Sequence, residues 1–483
     1  MESFVLPAIG VAALAGCMTV GPNYVAPEPG APTAWQADPA PGVSATTEEP
    51  KDLARWWTTL EDPVLNQLAE KAVAGNLNLK QARARLREAR ARRGQARADW
   101  FPRLDANAAV NRVRGSEETG TGATTTLYST GFDASWELDV FGGTRRAVEA
   151  ATAGVQASEE DLRDVLVSLL SEVALNYVEV RTNQARLVIA EQNLDAQRET
   201  YDIARWRFEA GLVTELDVEQ ARYNLEQTRA QIPTLQTAIH QAQNRLAVLL
   251  GDMPGALDDR LAPPASIPVA PAGVAVGVPA DMLRRRPDVR RAERQLAAQT
   301  AQVGVATAAR YPGFSLVGAI GLESLSSANL FTAGARTSAM GANAIMTLFD
   351  AGRLRENVNI QSALQEQAFL AYESAVRTAV EDTENALVAF AKEQTRRSSL
   401  QVASAAAERA AALARQQYES GLLDFQTVLD AQRSLLSLQD QLASSDGAVT
   451  SNLVRLYKAL GGGWTSFASE IAEQGAHAPD AGP

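Results

Sequence analysis

The side chains that most often carry catalysis, metal binding and disulfide bonding are scarce in this sequence. Its 483 residues include one cysteine, Cys17, and two histidines, His240 and His477. A single cysteine excludes an internal disulfide framework, and two isolated histidines leave no base beside a nucleophile. The net charge of −12 disfavours nucleic acid as a partner. The sequence therefore predicts a protein that is not an enzyme and that binds no metal, cofactor or nucleic acid.

Proline is missing from Ala351–Gly421, and its absence permits one uninterrupted helix. Within this stretch, apolar or nearly apolar residues recur at alternating steps of four and three, at Val376, Val380, Thr383, Leu387 and Phe390. This is the heptad pattern of a coiled coil. A continuous helix of this length would be roughly 100 Å long, which no ordinary globular core requires. The stretch therefore predicts a coiled coil, a repeat or a device that spans a large gap.

The same pattern occurs a second time, 210 residues earlier, at Leu166, Leu170, Val173, Tyr177 and Val180. The helix ends correspond as well, since Phe208–Leu212 matches Tyr418–Leu422. One offset that holds over most of the chain indicates a tandem duplication. We therefore expect a first repeat at residues 61–262 and a second repeat at 279–461, joined by a linker at 263–278. Outside the repeats we expect a signal peptide at residues 1–16, an extended N-terminal arm at 17–60 and a flexible tail at 462–483.

Each repeat also contains two segments in which apolar and polar residues alternate, the pattern of a hairpin with one apolar face. We expect strands at about 104–114 and 127–140 in the first repeat and at about 313–322 and 338–349 in the second. Segments of about ten residues have the length of strands in a membrane barrel, and Tyr128 and Trp136 stand where interfacial aromatic residues are found. The edge of a soluble sandwich is the alternative, although the flanking long helices leave such a sheet nothing to pack on.

Four strands per chain are too few to close a barrel, because the smallest barrels have about eight. An open sheet edge is not tolerated in lipid, since its backbone groups stay unpaired there. Copies of the chain must therefore associate. Two copies would supply about eight strands and three copies about twelve.

The N-terminus resembles a bacterial lipoprotein signal. The apolar run Phe4–Ala15 leads into small residues and then Cys17, where cleavage would leave the cysteine free to carry lipid. The run is too short to span a membrane. It departs from the usual pattern because Glu2 stands where a positive charge is normal. We predict lipidation of Cys17; an incidental buried cysteine is the alternative.

Several motifs together make the chain resemble the outer-membrane efflux proteins of the TolC type, and most closely their lipoprotein branch. They are Leu14–Cys17, Trp136–Gly142, Gly277–Asp288, Leu348–Gly352 and Leu429–Gln432. The resemblance extends over about residues 17–461. It implies a mainly α fold with membrane β structure: a tandem-repeat coiled-coil barrel of long helices, continued by a β-barrel with four strands per chain and twelve in a homotrimer.

The resemblance also implies a function. The protein would be a lipid-anchored, membrane-spanning exit duct in the cell outer membrane that extends into the periplasm and contacts outer membrane lipids. It would pass small molecules, drugs or metals, from a periplasmic adaptor protein and an inner-membrane pump to the outside. The alternative is a periplasmic coiled-coil scaffold or adaptor lipoprotein, which would keep the long helices but would not need the hairpins.

A periplasmic gate is the last feature that the resemblance implies, at the turns that follow the long helices. Family members have a ring of aspartates at the closed tip, and like charges around an axis attract cations. Asp430 matches one ring position; the second falls at Thr427, so Asp424 is expected to replace it. A tyrosine-to-aspartate link between the repeats also closes the family tip, and Tyr418 and Asp217 match its positions. The alternative role for these acids is to stabilise ordinary helix ends.

Overall fold

A computed structural model of the chain describes residues 19–28, 30, 32–36, 43–45, 51–271, 274–276 and 279–467. Cys17, the predicted signal peptide and most of the predicted tail lie outside the described residues. The chain forms two compact units. Of the described residues, one unit comprises those up to Glu28 together with Arg85–Glu159 and Arg291–Ser374. The other comprises those between positions 30 and 84, those between 160 and 290, and those from Ala375 onward.

Helices make up most of the fold, and the two repeats contribute matching sets. In chain order they are α1 (Pro63–Gly75), α2 (Leu77–Ala98), α3 (Gly143–Glu209), α4 (Glu215–Leu250), α5 (Asp258–Leu261), α6 (Pro279–Arg285), α7 (Pro287–Ala308), α8 (Arg353–Glu419) and α9 (Phe425–Ala459). Helices α3 and α8 each have 67 residues, and their bounds differ by 210 at both ends. The structure thus confirms the mainly helical fold built on long tandem helices. None of the described helices is both long enough and apolar enough to cross a lipid bilayer.

Acidic side chains start both long helices. The Asp139 carboxylate accepts the backbone N–H of Thr144 at 3.0 Å, and the Asp350 carboxylate accepts that of Leu354 at 2.8 Å. The first N–H groups of a helix have no partner inside it, so a carboxylate placed there satisfies them. These contacts explain why the helices begin just after the Asp-Val-Phe-Gly and Phe-Asp-Ala-Gly motifs.

The strands are β1 (Val43–Ala45), β2 (Arg103–Arg114), β3 (Thr124–Leu138), β4 (Val274–Val276), β5 (Gly313–Ser324) and β6 (Arg336–Ile345). The short strands β1 and β4 pair in parallel. The other four form one antiparallel sheet in the order β2–β3–β5–β6. The two repeats therefore meet at the centre of this sheet, where β3 of the first pairs with β5 of the second.

The register of the sheet gathers the apolar residues on one face. Ala106 pairs with Phe132, and Phe132 pairs with Ile320. Because successive side chains of a strand point to opposite faces, the next residues, Asp133 and Ala319, lie on the other face. Within this chain Phe132 is 51% exposed and Ile320 is 63% exposed. A wide apolar surface therefore remains uncovered in the single chain.

Strand β6 is shorter than the sequence indicates. Its last residue, Ile345, pairs with Gly313, the first residue of β5. The residue before Gly313 is Pro312, which has no backbone N–H to donate to a neighbouring strand. The alternation of apolar residues continues to Leu348, but no strand among the residues that the structure describes pairs with it there.

The N-terminal arm and the C-terminal end also differ from the sequence expectation, because aromatic residues fold them together. Residues Lys51–Leu60 form 3₁₀ turns instead of extended chain. Trp56 stacks on Tyr457, with ring centroids 5.5 Å apart, and Trp57 stacks on Phe467 at 6.1 Å. The backbone N–H of Gly463 donates to the carbonyl of Leu53 at 2.9 Å. The first part of the predicted flexible tail is therefore packed.

Candidate functional site

The turns that follow the two long helices have the same backbone. Gly211 and Gly421 lie in the left-handed region, with φ of 71° and 73°. The N–H of Leu212 donates to the carbonyl of Arg207 at 2.8 Å, and that of Leu422 donates to the carbonyl of Gln417 at 2.9 Å. This is the helix ending that favours glycine. Open space surrounds both glycines, so their backbone conformation, and not crowding, is the reason for glycine.

The acids next to these turns cap their own helices, and the two repeats use them in opposite order. In the first repeat the Asp217 carboxylate accepts the backbone N–H of Thr214 at 2.9 Å and its hydroxyl at 2.8 Å. In the second repeat the Asp424 carboxylate accepts the backbone N–H and the hydroxyl of Thr427, both at 2.8 Å. In the first repeat Thr214 comes three residues before Asp217, whereas in the second repeat Asp424 comes three residues before Thr427. Both acids are thus already used as helix caps.

The cap at Asp424 leads to a prediction about pH. The backbone N–H and the hydroxyl of Thr427 hold the pKa of Asp424 below its ordinary value of 3.8. A carboxyl group with a lowered pKa stabilises the fold above its unfolded pKa, and that contribution disappears as the pH falls through the folded pKa. We expect Asp424→Ala to speed amide hydrogen exchange in the first turn of α9 at neutral pH, measured by mass spectrometry. The difference from the parent should shrink as the pH falls below 3.8 and vanish once the pH lies below the lowered pKa of Asp424.

Asp430→Ala is the matched control for that experiment, because Asp430 lies on the same helix but accepts no backbone N–H of its first turn. The control variant should exchange like the parent at residue 427. Equal exchange in Asp424→Ala and the parent at neutral pH would contradict the cap.

The sequence-predicted link between Tyr418 and Asp217 is not formed in this structure. The Tyr418 ring is buried, and its hydroxyl has no hydrogen-bond partner among the described residues. The ring packs against Phe425, with centroids 5.3 Å apart. It also lies beneath the guanidinium of Arg207, 4.4 Å from the ring centroid. Asp217 takes no part in this arrangement, since its carboxylate faces Thr214.

Asp430 is exposed, and its charge is paired within the chain. Its carboxylate lies 3.3 Å from the guanidinium of Arg433 and accepts a hydrogen bond from Gln426 at 3.0 Å. Arg433 also donates to the side chain of Asn224 at 2.6 Å and lies over the ring of Tyr223 at 5.7 Å. Arg433 therefore connects the acid of the second repeat to helix α4 of the first.

An apolar cluster lies next to these two turns. It contains Ala204, Val218, Ala221, Ala414, Tyr418, Phe425, Val428 and Leu429, from all four long helices.

Polar side chains join the two repeats farther along the helices. The two pairs are seven residues apart in each repeat. Gln432 donates to Thr200 at 2.8 Å, and Asn193 donates to Gln439 at 2.9 Å. Such regular polar contacts fix the register of neighbouring helices.

Sequence reasoning missed Arg207 and Arg433. Arg433 follows Asp430 by three residues, a spacing that places the two side chains together on a helix. The sequence indicates Arg207 less clearly than Arg433. The equivalent residue in the second repeat is Gln417, so the two repeats differ in charge at this position. Among the described residues, no group of three or more His, Cys, Asp or Glu side chains could hold a metal ion.

Comparison with known proteins shows which family this chain matches. The family model described as "Outer membrane efflux protein" matches residues 68–252 and again 278–462. The outer membrane protein OprJ of Pseudomonas aeruginosa is 32% identical over 483 residues, covering 97% of this chain and 99% of its own. The toluene efflux pump outer membrane protein TtgI of Pseudomonas putida is 33% identical, with 95% and 98% covered. The solved structure of the outer-membrane channel OprN is 36% identical, with a TM-score of 0.87, and covers 92% of this chain and 99% of that chain.

Proposed function

The chain belongs to the outer membrane efflux protein family, and from that premise we propose that it works as a trimeric exit duct. In this proposal the duct receives small molecules, drugs or metals, from an inner-membrane pump through a periplasmic adaptor protein. Cys17 carries lipid that anchors the N-terminus. The protein is an outer-membrane efflux channel protein; the trimer, the lipid and the two partners are the parts that we propose.

The sheet carries this proposal. Strands β2 and β6 each pair on one side only within the sheet, and its apolar face is exposed. An unpaired strand edge and an uncovered apolar face are unfavourable in water. Lipid covers the face, and pairing with other copies removes the edges. Three copies supply about twelve strands, enough for a water-filled lumen.

Aromatic residues support a membrane boundary at one end of the sheet. Phe141 stacks on Tyr311 at 4.7 Å and on Phe314 at 6.5 Å. The indole N–H of Trp136 donates to the carbonyl of Trp100 at 3.0 Å. Aromatic side chains concentrate at the interfaces between membrane and water. A periplasmic scaffold, the alternative function, would have no use for this sheet.

The gate is the second part of the proposal. We assign it to the two tip turns, with Asp430 as the ring acid and with Asp217 and Asp424 as the acids that cap the helices beside it. In each chain Arg433 offsets the charge of Asp430. Asp430 and Arg433 lie on the same helix and stay close when the tip opens, so the part of the acid's charge that Arg433 leaves uncompensated would attract cations into the lumen.

Cysteine cross-linking tests the trimer. We expect Ala108→Cys in β2 combined with Ser338→Cys in β6 to give disulfide-linked dimers and trimers on a denaturing gel, because these outer strands pair between copies. The scan includes neighbouring positions on β6, since cross-linking requires Cα atoms within about 7 Å.

A pair inside the sheet provides the control. Ser129 and Glu323 are direct partners of β3 and β5, so Ser129→Cys with Glu323→Cys should form a disulfide without changing the size of the species. A monomer with every β2–β6 pair in the scan, in membranes and in detergent, would contradict the proposed assembly.

A further inference from the structure

The ends of α3 and α8 occupy equivalent places in the repeats but carry different chemistry. Arg207 near the end of α3 corresponds to Gln417 in α8, and Phe208 corresponds to Tyr418. Phe208 is exposed, whereas Tyr418 is 7% exposed. The duplication has therefore placed a cation at the end of one helix and a buried ring at the end of the other, and these two groups meet.

Arg207 contacts the second repeat in two ways. Its guanidinium carbon lies 4.4 Å from the centroid of the Tyr418 ring, well inside the range of a cation–π interaction. One guanidinium nitrogen also lies 3.5 Å from the backbone carbonyl oxygen of Glu419. The nearby acids Asp202 and Glu209 face Arg205 instead, each at 3.8 Å. The charge of Arg207 is thus directed at the ring.

The hydroxyl of Tyr418 does not stabilise this contact. It is buried and has no hydrogen-bond partner among the described residues. A buried polar group without a partner costs free energy. The ring, held between Arg207 on one side and Phe425 on another, is therefore the part of Tyr418 that joins the repeats.

We propose that Arg207 is a positioning residue of the gate, and that it holds the end of α3 against the end of α8 by stacking on the Tyr418 ring. The proposal rests on the proposed function, because it concerns the same tip turns. Opening the tip requires the ends of the helices to separate, and separation breaks this stacking in every copy. The tip is then closed by a cation on a ring, in place of a hydrogen bond from tyrosine to aspartate.

Single-channel recording in planar lipid bilayers tests the proposal on the full-length protein. We expect Arg207→Gln to raise open-state occupancy about two- to fivefold for each copy that opens, the ratio that matches the strength of one partly exposed cation–π interaction. Arg207→Lys should restore most of the closed state, since lysine keeps the charge. Tyr418→Phe should behave like the parent, because it keeps the ring and removes only the unpartnered hydroxyl.

Arg205→Gln is the matched control, since it removes the same charge from the same helix two residues away. It should leave occupancy unchanged. A heat-resistant oligomer on a gel shows that each variant is assembled before recording. If Arg207→Gln does not assemble, Tyr418→Leu, which removes the ring and leaves Arg207 in place, must raise the occupancy instead.

Different experimental results would contradict the role of Arg207 and the proposed function on which it rests. Equal occupancy in the parent and Arg207→Gln, or opening by Tyr418→Phe as large as by Arg207→Gln, overturns the role of Arg207. Substituting Arg207 and Tyr418 together must also be non-additive, because the two residues act through one interaction. The absence of channel events from the parent and from every assembled variant overturns the proposed function itself.

Discussion

Arginine in place of Ile320 is expected to abolish the heat-resistant oligomer. Ile320 lies in the middle of β5, on the apolar face that Phe132 shares. Arginine on the lipid face of a membrane sheet near the midplane costs about 2–4 kcal/mol per chain, and the cost is repeated in each copy. The expected result is loss of the oligomer from outer-membrane fractions, measured by unheated gel electrophoresis and by resistance to added protease.

Ala319→Arg is the control, because Ala319 is adjacent in sequence and lies on the opposite face of the same strand. It pairs with Asp133 across β3, so an arginine there has a carboxylate beside it. We expect this variant to assemble like the parent. Equal loss in both variants would mean that the two faces are not distinguished by lipid, and the membrane assignment of the sheet would fail.

Removal of Arg286 is expected to destabilise the helices by about 3 kcal/mol, the usual cost of breaking a buried ion pair. Its guanidinium donates to the carbonyl oxygens of Ala379 and Ala459, at 3.3 and 3.0 Å. It also pairs with Asp288 at 2.6 Å and with Asp382 at 3.1 Å. Burial lowers the pKa of Arg286, but both carboxylates more than compensate, so the group stays charged. Arg286→Ala leaves all four acceptors without this donor.

The neighbouring arginine supplies the control for that prediction. The side chain of Arg286 is 9% exposed, whereas that of Arg284 is 73% exposed and lies 3.6 Å from Asp281. Arg284→Ala should change stability by less than about 0.5 kcal/mol. Arg286→Lys should be intermediate, because lysine keeps the charge but lacks the planar fork. The temperature at which the oligomer dissociates measures all three, and similar values for the two alanine variants would exclude the structural role of Arg286.

The long helices and the sheet could be predicted because their signals are periodic and occur twice. The heptad positions from Val376 to Phe390 repeat over about four turns and recur 210 residues earlier, and the alternation in the hairpins repeats over about ten residues. The end of β6 could not be predicted from alternation alone, since it depends on Pro312 of the strand beside it. Likewise, nothing local distinguishes Arg286 from its two neighbours, because burial is decided by α8 and α9.

The two turns after α3 and α8 show more clearly that local sequence does not predict contacts between distant residues. The resemblance to a family drew attention to these turns and side chains, but it did not reveal what those side chains contact. Asp217 and Asp424 each have a threonine three residues away, and this local hydrogen bond competes with any contact between repeats. Tyr418 is then free to pack with Arg207, which comes from a segment about 210 residues distant in the chain. Local spacing carries no information about such a contact.

The reversed order of threonine and aspartate at the two turns has a consequence for an assembly of three chains. Six turns would surround the axis with only approximate sixfold symmetry. The Cα atom of the capping acid stands at the start of the helix in one turn and three residues later in the next, roughly 4.5 Å farther along the helix. The Asp217 carboxylate reaches back to Thr214 and the Asp424 carboxylate reaches forward to Thr427, so the side chains offset this difference. The acid would therefore be the cap residue in three of the six turns and a first-turn residue in the other three, and the six positions around the axis would not be interchangeable.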